Sequence, residues 1–216
     1  MIRTAPEGRW FIAGAWLIAL VLLVAAVRSG ALGWWIAAVV WTVLAVWVVA
    51  FFRDPERPWA RGERLVVAPA DGEVVSLLEV DEPTYLNGRA LRVSIFMNVF
   101  DCHVNRYPLD GRIAYRHYNP GRFGHAGAEK ASLSNEQASV GLDTPRGKVL
   151  VRQIAGLVAR RIVTDHQVGA VVHQGERMGM IRFGSRVDLF LPPGTRTLVQ
   201  VGAKTRAGVT VVAEWS

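Results

Sequence analysis

Three residue types in this chain supply the parts of an activated nucleophile: Ser185 directly after Gly184, His103 in an apolar stretch, and Asp71 in an Asp-Gly pair. A serine hydroxyl is a poor nucleophile until an imidazole takes its proton, and the imidazole needs an acceptor that fixes its tautomer. All three fall on or beside predicted turns, where scaffolds present reactive groups. Spacing alone does not bring them together. Each also has a plainer reading: a Gly-Ser pair as a turn or bulge, Asp71 bonding its own backbone, and His103 bonded to a backbone carbonyl. The other histidines, His117, His125, His166 and His173, lack metal-ligand spacing, so no metal is assigned. The single cysteine, Cys102, excludes an intrachain disulfide framework and a cysteine-based zinc site.

Positioning these groups falls to the second of two regions. The first is apolar. Trp10 to Val27 and Trp34 to Phe52 are uncharged runs of about 18 and about 19 residues, each long enough to cross a bilayer core. With the turn Arg28–Gly33 between them, residues 10–52 are predicted to form a transmembrane helical hairpin rather than a cleaved signal peptide. Trp10, Trp34 and Trp35 fall near its interfaces. Arg3 and Arg9 precede the hairpin, and Arg53, Arg57, Arg61 and Arg64 follow it, against Arg28 alone in the turn. The positive-inside rule therefore predicts an inner-membrane protein with residues 1–9 and everything after Phe52 in the cytoplasm. Residues 53–64 read as a basic juxtamembrane linker against anionic headgroups. An apolar share of 51% and a formal net charge of +7 agree with a membrane partner. Nucleic acid is not expected, because the arginines are scattered and no nucleic-acid motif occurs.

The second region, residues 65–216, reads as a mainly β domain. Strands are predicted on both sides of Asp71-Gly72, over Arg89–Val99, after Leu109-Asp-Gly111, and over Lys148–Ile154, Leu157–Val163, Thr197–Val201 and Thr210–Glu214. His173 to Pro193 reads as a β-hairpin whose second strand carries Gly184-Ser185. Gly121–Gly147, rich in Gly, Ala, Ser and Asn, reads as a long loop with one helical turn near Ala128–Ser132.

Segments spread over most of the chain after residue 50 resemble one family. They are Phe52-Arg-Asp-Pro55, Ala68-Pro-Ala-Asp-Gly72, Asp101-Cys-His-Val-Asn-Arg106, Asn119-Pro-Gly-Arg-Phe123, Lys130-Ala-Ser132 with Asn135-Glu136, Val151-Arg-Gln-Ile-Ala-Gly156, Gly175-Glu-Arg-Met-Gly179 and Arg182-Phe-Gly-Ser-Arg186. Each is weak; together and in this order they resemble the short form of the phosphatidylserine decarboxylases.

The resemblance implies a pyruvoyl enzyme. Ser185 would attack the Gly184 carbonyl, and the chain would divide into a large subunit, 1–184, and a small one, 185–216, whose first residue becomes the pyruvoyl group. Phosphatidylserine would form a Schiff base with that group and lose carbon dioxide to give phosphatidylethanolamine. Asp71 and His103 would serve self-cleavage, with His103 also a candidate for proton transfer in turnover. Asp101, Arg106 and Arg186 are further candidates for substrate binding or proton transfer. The longer bacterial and mitochondrial members carry two histidines where this chain has His103 and then Arg106, and they read Leu-Gly-Ser-Thr where it has Phe183-Gly-Ser-Arg186. Dividing cleavage and turnover between two histidines is therefore not available here.

Three other readings compete. A membrane-anchored serine hydrolase using Ser185, His103 and Asp71 would stay one chain, and the Gly-x-Ser-x-Gly elbow is missing. A non-enzymatic carrier-like scaffold fits the barrel-sandwich or biotinyl-like look of the hairpins, but no lysine sits near either turn. A soluble pyruvoyl amino-acid decarboxylase would not need the anchor. The sequence leaves the oligomeric state open, a homodimer included.

Overall fold

The computed structural model describes residues 3–58, 62–121, 135–156, 162–182 and 185–215. The chain divides into two compact units, Met1–Glu56 and Arg57–Ser216.

In the first unit, α1 (Arg9–Ser29) and α2 (Leu32–Phe51) form the expected hairpin. Gly30 ends α1 at φ 68°, its N–H donating to the Ala26 carbonyl at 3.0 Å. Alanines line the seam between the helices: Ala15, Ala19 and Ala26 on α1, Ala38 and Ala45 on α2, all buried. Such small residues let helix backbones approach closely where apolar surface alone gives no drive to associate. Trp41 Nε1 donates to the Ala15 carbonyl at 2.8 Å, satisfying a polar atom that lipid could not. The outer faces carry exposed Leu17, Val40 and Val43, and both helices are long and apolar enough to cross a membrane. The hairpin's open end is closed by backbone bonds, Ala5 N–H to Phe52 O at 2.7 Å and Asp54 N–H to Arg3 O at 2.8 Å. Both flanks therefore emerge on one side.

The second unit is mainly β. Its strands are β1 (Leu65–Val67), β2 (Gly72–Glu82), β3 (Gly88–Met97), β4 (Val104–Arg106), β5 (Gly111–Asn119), β6 (Gln137–Thr144), β7 (Gly147–Ala155), β8 (Ile162–Thr164), β9 (Val171–Val172), β10 (Arg177–Ile181), β11 (Ser185–Leu191), β12 (Arg196–Thr197), β13 (Lys204–Thr205) and β14 (Val211–Glu214). Among the described residues they make an eight-stranded sheet, β13-β2-β3-β11-β7-β6-β5-β9, and two three-stranded sheets, β4-β10-β8 and β1-β14-β12. Every strand pairing is antiparallel. Central β11 is buried throughout. Alternation along it sends Val187, Leu189 and Leu191 into the main core and Arg186, Asp188 and Phe190 to the other face.

The strand expected over Thr197–Val201 is reduced to Arg196–Thr197, and three further expectations need correction. His173 to Pro193 is not a hairpin: β10 pairs with β4 and β8, whereas both edges of β11 are taken by β3 and β7. The chain thus passes from one sheet to another between β10 and β11. The strands flanking Asp71-Gly72 also diverge, β1 pairing with β14 and β2 with β3 and β13. Gly72, at φ 145°, lies so close to β3 that a Cβ would stand 2.0 Å from the Phe96 carbonyl oxygen, so no side chain fits there.

Finally, the segment read as a loop over 121–147 contains strand β6. Its small residues are there for packing: a Cβ on Gly141 would stand 2.5 Å from the Tyr85 ring. The helical turn expected near Ala128–Ser132 lies outside the described residues.

A buried acid ties the β2–β3 turn to β7. Glu82 is 1% exposed, accepts from the Tyr85 and Leu86 amides at 2.9 and 3.0 Å and from Arg152 Nη2 at 2.9 Å, and is also bonded by Thr84. Burial alone would raise its pKa, but these partners together hold it below the ordinary 4.5. A depressed folded-state pKa contributes stability that is present above the unfolded value and lost as pH falls through the folded one. Stability against denaturant is therefore expected to fall progressively below about pH 4.5, with Glu82→Gln showing a smaller acid-dependent loss.

Candidate active site

The register of the large sheet brings the nucleophile candidate to one end of the core. Ser185 opens β11, is fully buried, and lies opposite Met97 of β3 on one side and Ala155 of β7 on the other. Its Oγ donates to Met97 Sδ at 3.4 Å. A thioether is a weak acceptor, so the hydroxyl is lightly held and shielded from water. The Gly184 carbonyl that it would attack lies outside the described residues, as does Phe183.

His103, also fully buried, immediately precedes β4, and its carbonyl accepts from Ile181 N–H at 3.4 Å. Its Nδ1 is 3.0 Å from the Asp101 carbonyl oxygen. A carbonyl can only accept, so in the neutral ring this contact puts the proton on Nδ1 and leaves Nε2 as the basic nitrogen. The acceptor that fixes the tautomer here is a backbone oxygen. Asp101 keeps that oxygen in place, its carboxylate accepting from Asn98 N–H at 2.8 Å to close the β3–β4 turn.

Asp71 comes to the same end of the sheet. Glu73 pairs with Phe96, and Phe96 with Arg186, so Gly72 and Asp71 flank the level of Met97 and Ser185. Its carboxylate is held bidentately by Arg57, Nη1 to Oδ1 at 2.5 Å and Nη2 to Oδ2 at 2.7 Å, and accepts from Ala207 N–H at 2.8 Å. Arg57 itself is buried. It is therefore not part of a headgroup-facing basic collar, because its charge is needed inside the fold; Arg61 of that collar lies outside the described residues.

The remaining candidates point elsewhere. Arg106 Nη1 donates to the Gly175 carbonyl at 3.0 Å. Arg186 lies on the face of β11 opposite the Ser185 side chain, paired with Asp188 (Nε to Oδ1, 2.6 Å) and Ser94 (Nη2 to Oγ, 2.9 Å).

Sequence reasoning missed a buried polar series that starts at Ser185. Asn105 lies two residues beyond His103, so strand alternation gives the two one face. Its Nδ2 donates to the same Met97 Sδ at 3.7 Å, and its Oδ1 accepts from Gln153 Nε2 at 2.8 Å. Gln153 Oε1 in turn accepts from Thr164 Oγ1 at 3.0 Å. Met97, Asn105 and Gln153 are fully buried. Asn105 and Gln153 stand inside the recognised segments, and a buried amide in a β core was the available signal; the partners follow only from strand pairing. The described residues thus offer a shielded hydroxyl bonded to Met97, a tautomer-fixed imidazole on the β3–β4 turn and a hydrogen-bonded wall.

Comparison with known proteins gives the family. The sequence profile of the family described as "Phosphatidylserine decarboxylase" matches residues 44–213. A phosphatidylserine decarboxylase proenzyme from Aromatoleum aromaticum is 46% identical over 211 residues, covering 97% of this chain and 94% of that protein. The proenzyme of the same name from Symbiobacterium thermophilum is 47% identical over 209 residues, covering 96% and 94%, and that from Magnetococcus marinus 47% over 195 residues, covering 89% of each. With a match of this length and identity running through Asp71, His103 and Ser185, the chain belongs to the phosphatidylserine decarboxylase family of enzymes.

Proposed function

We propose that this chain is a self-processing proenzyme that decarboxylates phosphatidylserine to phosphatidylethanolamine with a pyruvoyl group made from Ser185. The observation that carries the reading is Ser185 itself, fully buried against a thioether at a sheet-to-sheet crossing within the family-matched span. In the first step His103 Nε2 accepts the Ser185 hydroxyl proton while Oγ bonds to the Gly184 carbonyl carbon. The 184–185 amide bond breaks, its nitrogen leaving protonated as the amine of residue 185, and an ester joins the two parts. Loss of the Ser185 α-proton then breaks the Cβ–Oγ bond and releases residue 184 as a carboxylate. Water hydrolyses the remaining enamine through its imine tautomer, ammonia departs, and the small subunit 185–216 begins with a pyruvoyl group.

The surroundings fit that group. Once Oγ has gone, the side chain at 185 is a methyl. Met97 Sδ, a weak hydrogen-bond acceptor before cleavage, is equally suited to pack against it. When formed, the group supplies a carbonyl that takes up the electron pair released as carbon dioxide leaves. In this reading His103, its tautomer held by the Asp101 carbonyl, returns a proton to substrate carbon. The Arg57–Asp71 pair braces the Gly72 corner beneath β3 rather than exchanging protons.

The apolar hairpin α1–α2 is the membrane anchor in this reading. Its two flanks emerge together, and the arginine bias places them and residues 57–216 at the cytoplasmic side of the inner membrane. Two measurements test the proposal. The purified wild-type protein should give two masses that divide between residues 184 and 185, the smaller lacking the amine expected of an N-terminal serine. It should also release labelled carbon dioxide from carboxyl-labelled phosphatidylserine. An intact, inactive wild-type chain would sink it.

A further inference from the structure

The buried series that starts at Ser185 ends in a groove. Thr164, its last member, lines a cavity of about 490 Å³ together with Arg116, Tyr118, Ala138, Ser139 and Ile162. The cavity belongs to the same side of the large sheet as the nucleophile. On that face Gln153 pairs with Ala138, and Ala138 with Tyr118. This level is one alternation along β7 from Ala155, the partner of Ser185. Two strand spacings, about 10 Å, separate β11 from β6.

Charge is ordered along this path. Arg116 Nη1 donates to the His166 carbonyl at 2.6 Å, which braces the guanidinium and leaves donors for an anion. Nearer the Ser185 level, Glu136 accepts from Tyr118 OH at 2.9 Å, and its own carbonyl bonds Ala155 N–H at 2.9 Å. A cation thus stands at the groove, a carboxylate between, and the reacting position at the end.

We infer that this groove is the binding subsite for the phosphodiester of an aminophospholipid head, Arg116 holding the phosphate and Glu136 facing the ammonium as it is led toward position 185. The inference rests on the decarboxylase reading of Ser185 and names the groove through which its substrate is held. An arginine suits a phosphate because its planar donors meet two oxygens at once. Thr164 donates its hydroxyl to Gln153 Oε1, and Gln153 and Asn105 keep the wall between groove and position 185 in register. They are positioning residues that act through Thr164 and Met97.

Binding can be read without turnover in the uncleaved Ser185→Ala protein, full chain in detergent, titrated calorimetrically with glycerophosphoserine, the water-soluble head. Adding Arg116→Gln is expected to weaken binding about tenfold or more, the loss of one charge-assisted contact. Arg116→Lys should recover part of it, separating charge from any damage to folding. In the processed enzyme, Arg116→Gln should raise KM for phosphatidylserine micelles far more than it lowers kcat. Inorganic phosphate is the control: binding as tight as that of glycerophosphoserine would make this a free-phosphate site and overturn the assignment. Unchanged glycerophosphoserine binding in Arg116→Gln, or none in the parent protein, would overturn it too. Failure of the decarboxylase reading shows separately, as absent carbon dioxide release from the wild type.

Discussion

Ser185→Ala is expected to leave a single 23.8 kDa chain that neither divides nor releases carbon dioxide, whatever the substrate concentration. The loss should be complete rather than partial, because in the proposed mechanism the hydroxyl oxygen is a reactant: it forms the ester and departs with residue 184. The variant should still fold. The hydroxyl's one described contact is the 3.4 Å bond to Met97 Sδ, and losing a bond of that kind costs about 1 kcal/mol or less. Alanine fills the position between Met97 and Ala155 without a new polar atom. An alanine variant that still divided at 184–185 would remove Ser185 from the chemistry. One that stayed whole yet kept decarboxylating would separate the family's reaction from the proposed group.

The parts of this architecture legible in the sequence are those fixed by local pattern. The apolar runs became α1 and α2 because lipid-length helices need only uninterrupted hydrophobicity. Strands such as β3 and β7 showed themselves through β-branched and apolar residues. Strand β6 did not, because its small residues lower its strand signal, and Gly141 is required by the Tyr85 ring that lies over it. Partners were harder still. Nothing local says that β10 and β11 part company, or that Arg57 turns inward to Asp71. Ser185, His103 and Asp71 were each readable as candidates. The link from Ser185 through Met97 to Asn105 depends on a register that sets residue 97 opposite residue 185, a long-range fact. Asp101, a candidate for substrate binding or proton transfer, reaches the imidazole through its backbone carbonyl, which its residue type does not reveal.

The same register decides what Arg186 does. Directly after the nucleophile, it was a natural candidate for the substrate's phosphate or carboxylate, but alternation turns it to the opposite face, 1% exposed and bonded to Asp188, which is fully buried. Asp188→Asn is therefore expected to be strongly destabilising, by about 3–5 kcal/mol, because it leaves a guanidinium buried without its counter-charge. Chemical denaturation of the full chain in detergent measures this directly. The paired replacement Arg186→Met with Asp188→Leu removes both charges and the need to solvate either, so most of that stability should return. It also separates structure from recognition. If Arg186 only holds the sheet, the folded double variant binds glycerophosphoserine as the parent does; if it grips substrate, affinity falls although the fold is restored. The 2.6 Å contact to Asp188 and the 2.9 Å contact to Ser94 already engage the guanidinium on the far side of β11. Retained binding is the expected outcome, and it would leave Arg116 as the cation that meets the lipid head.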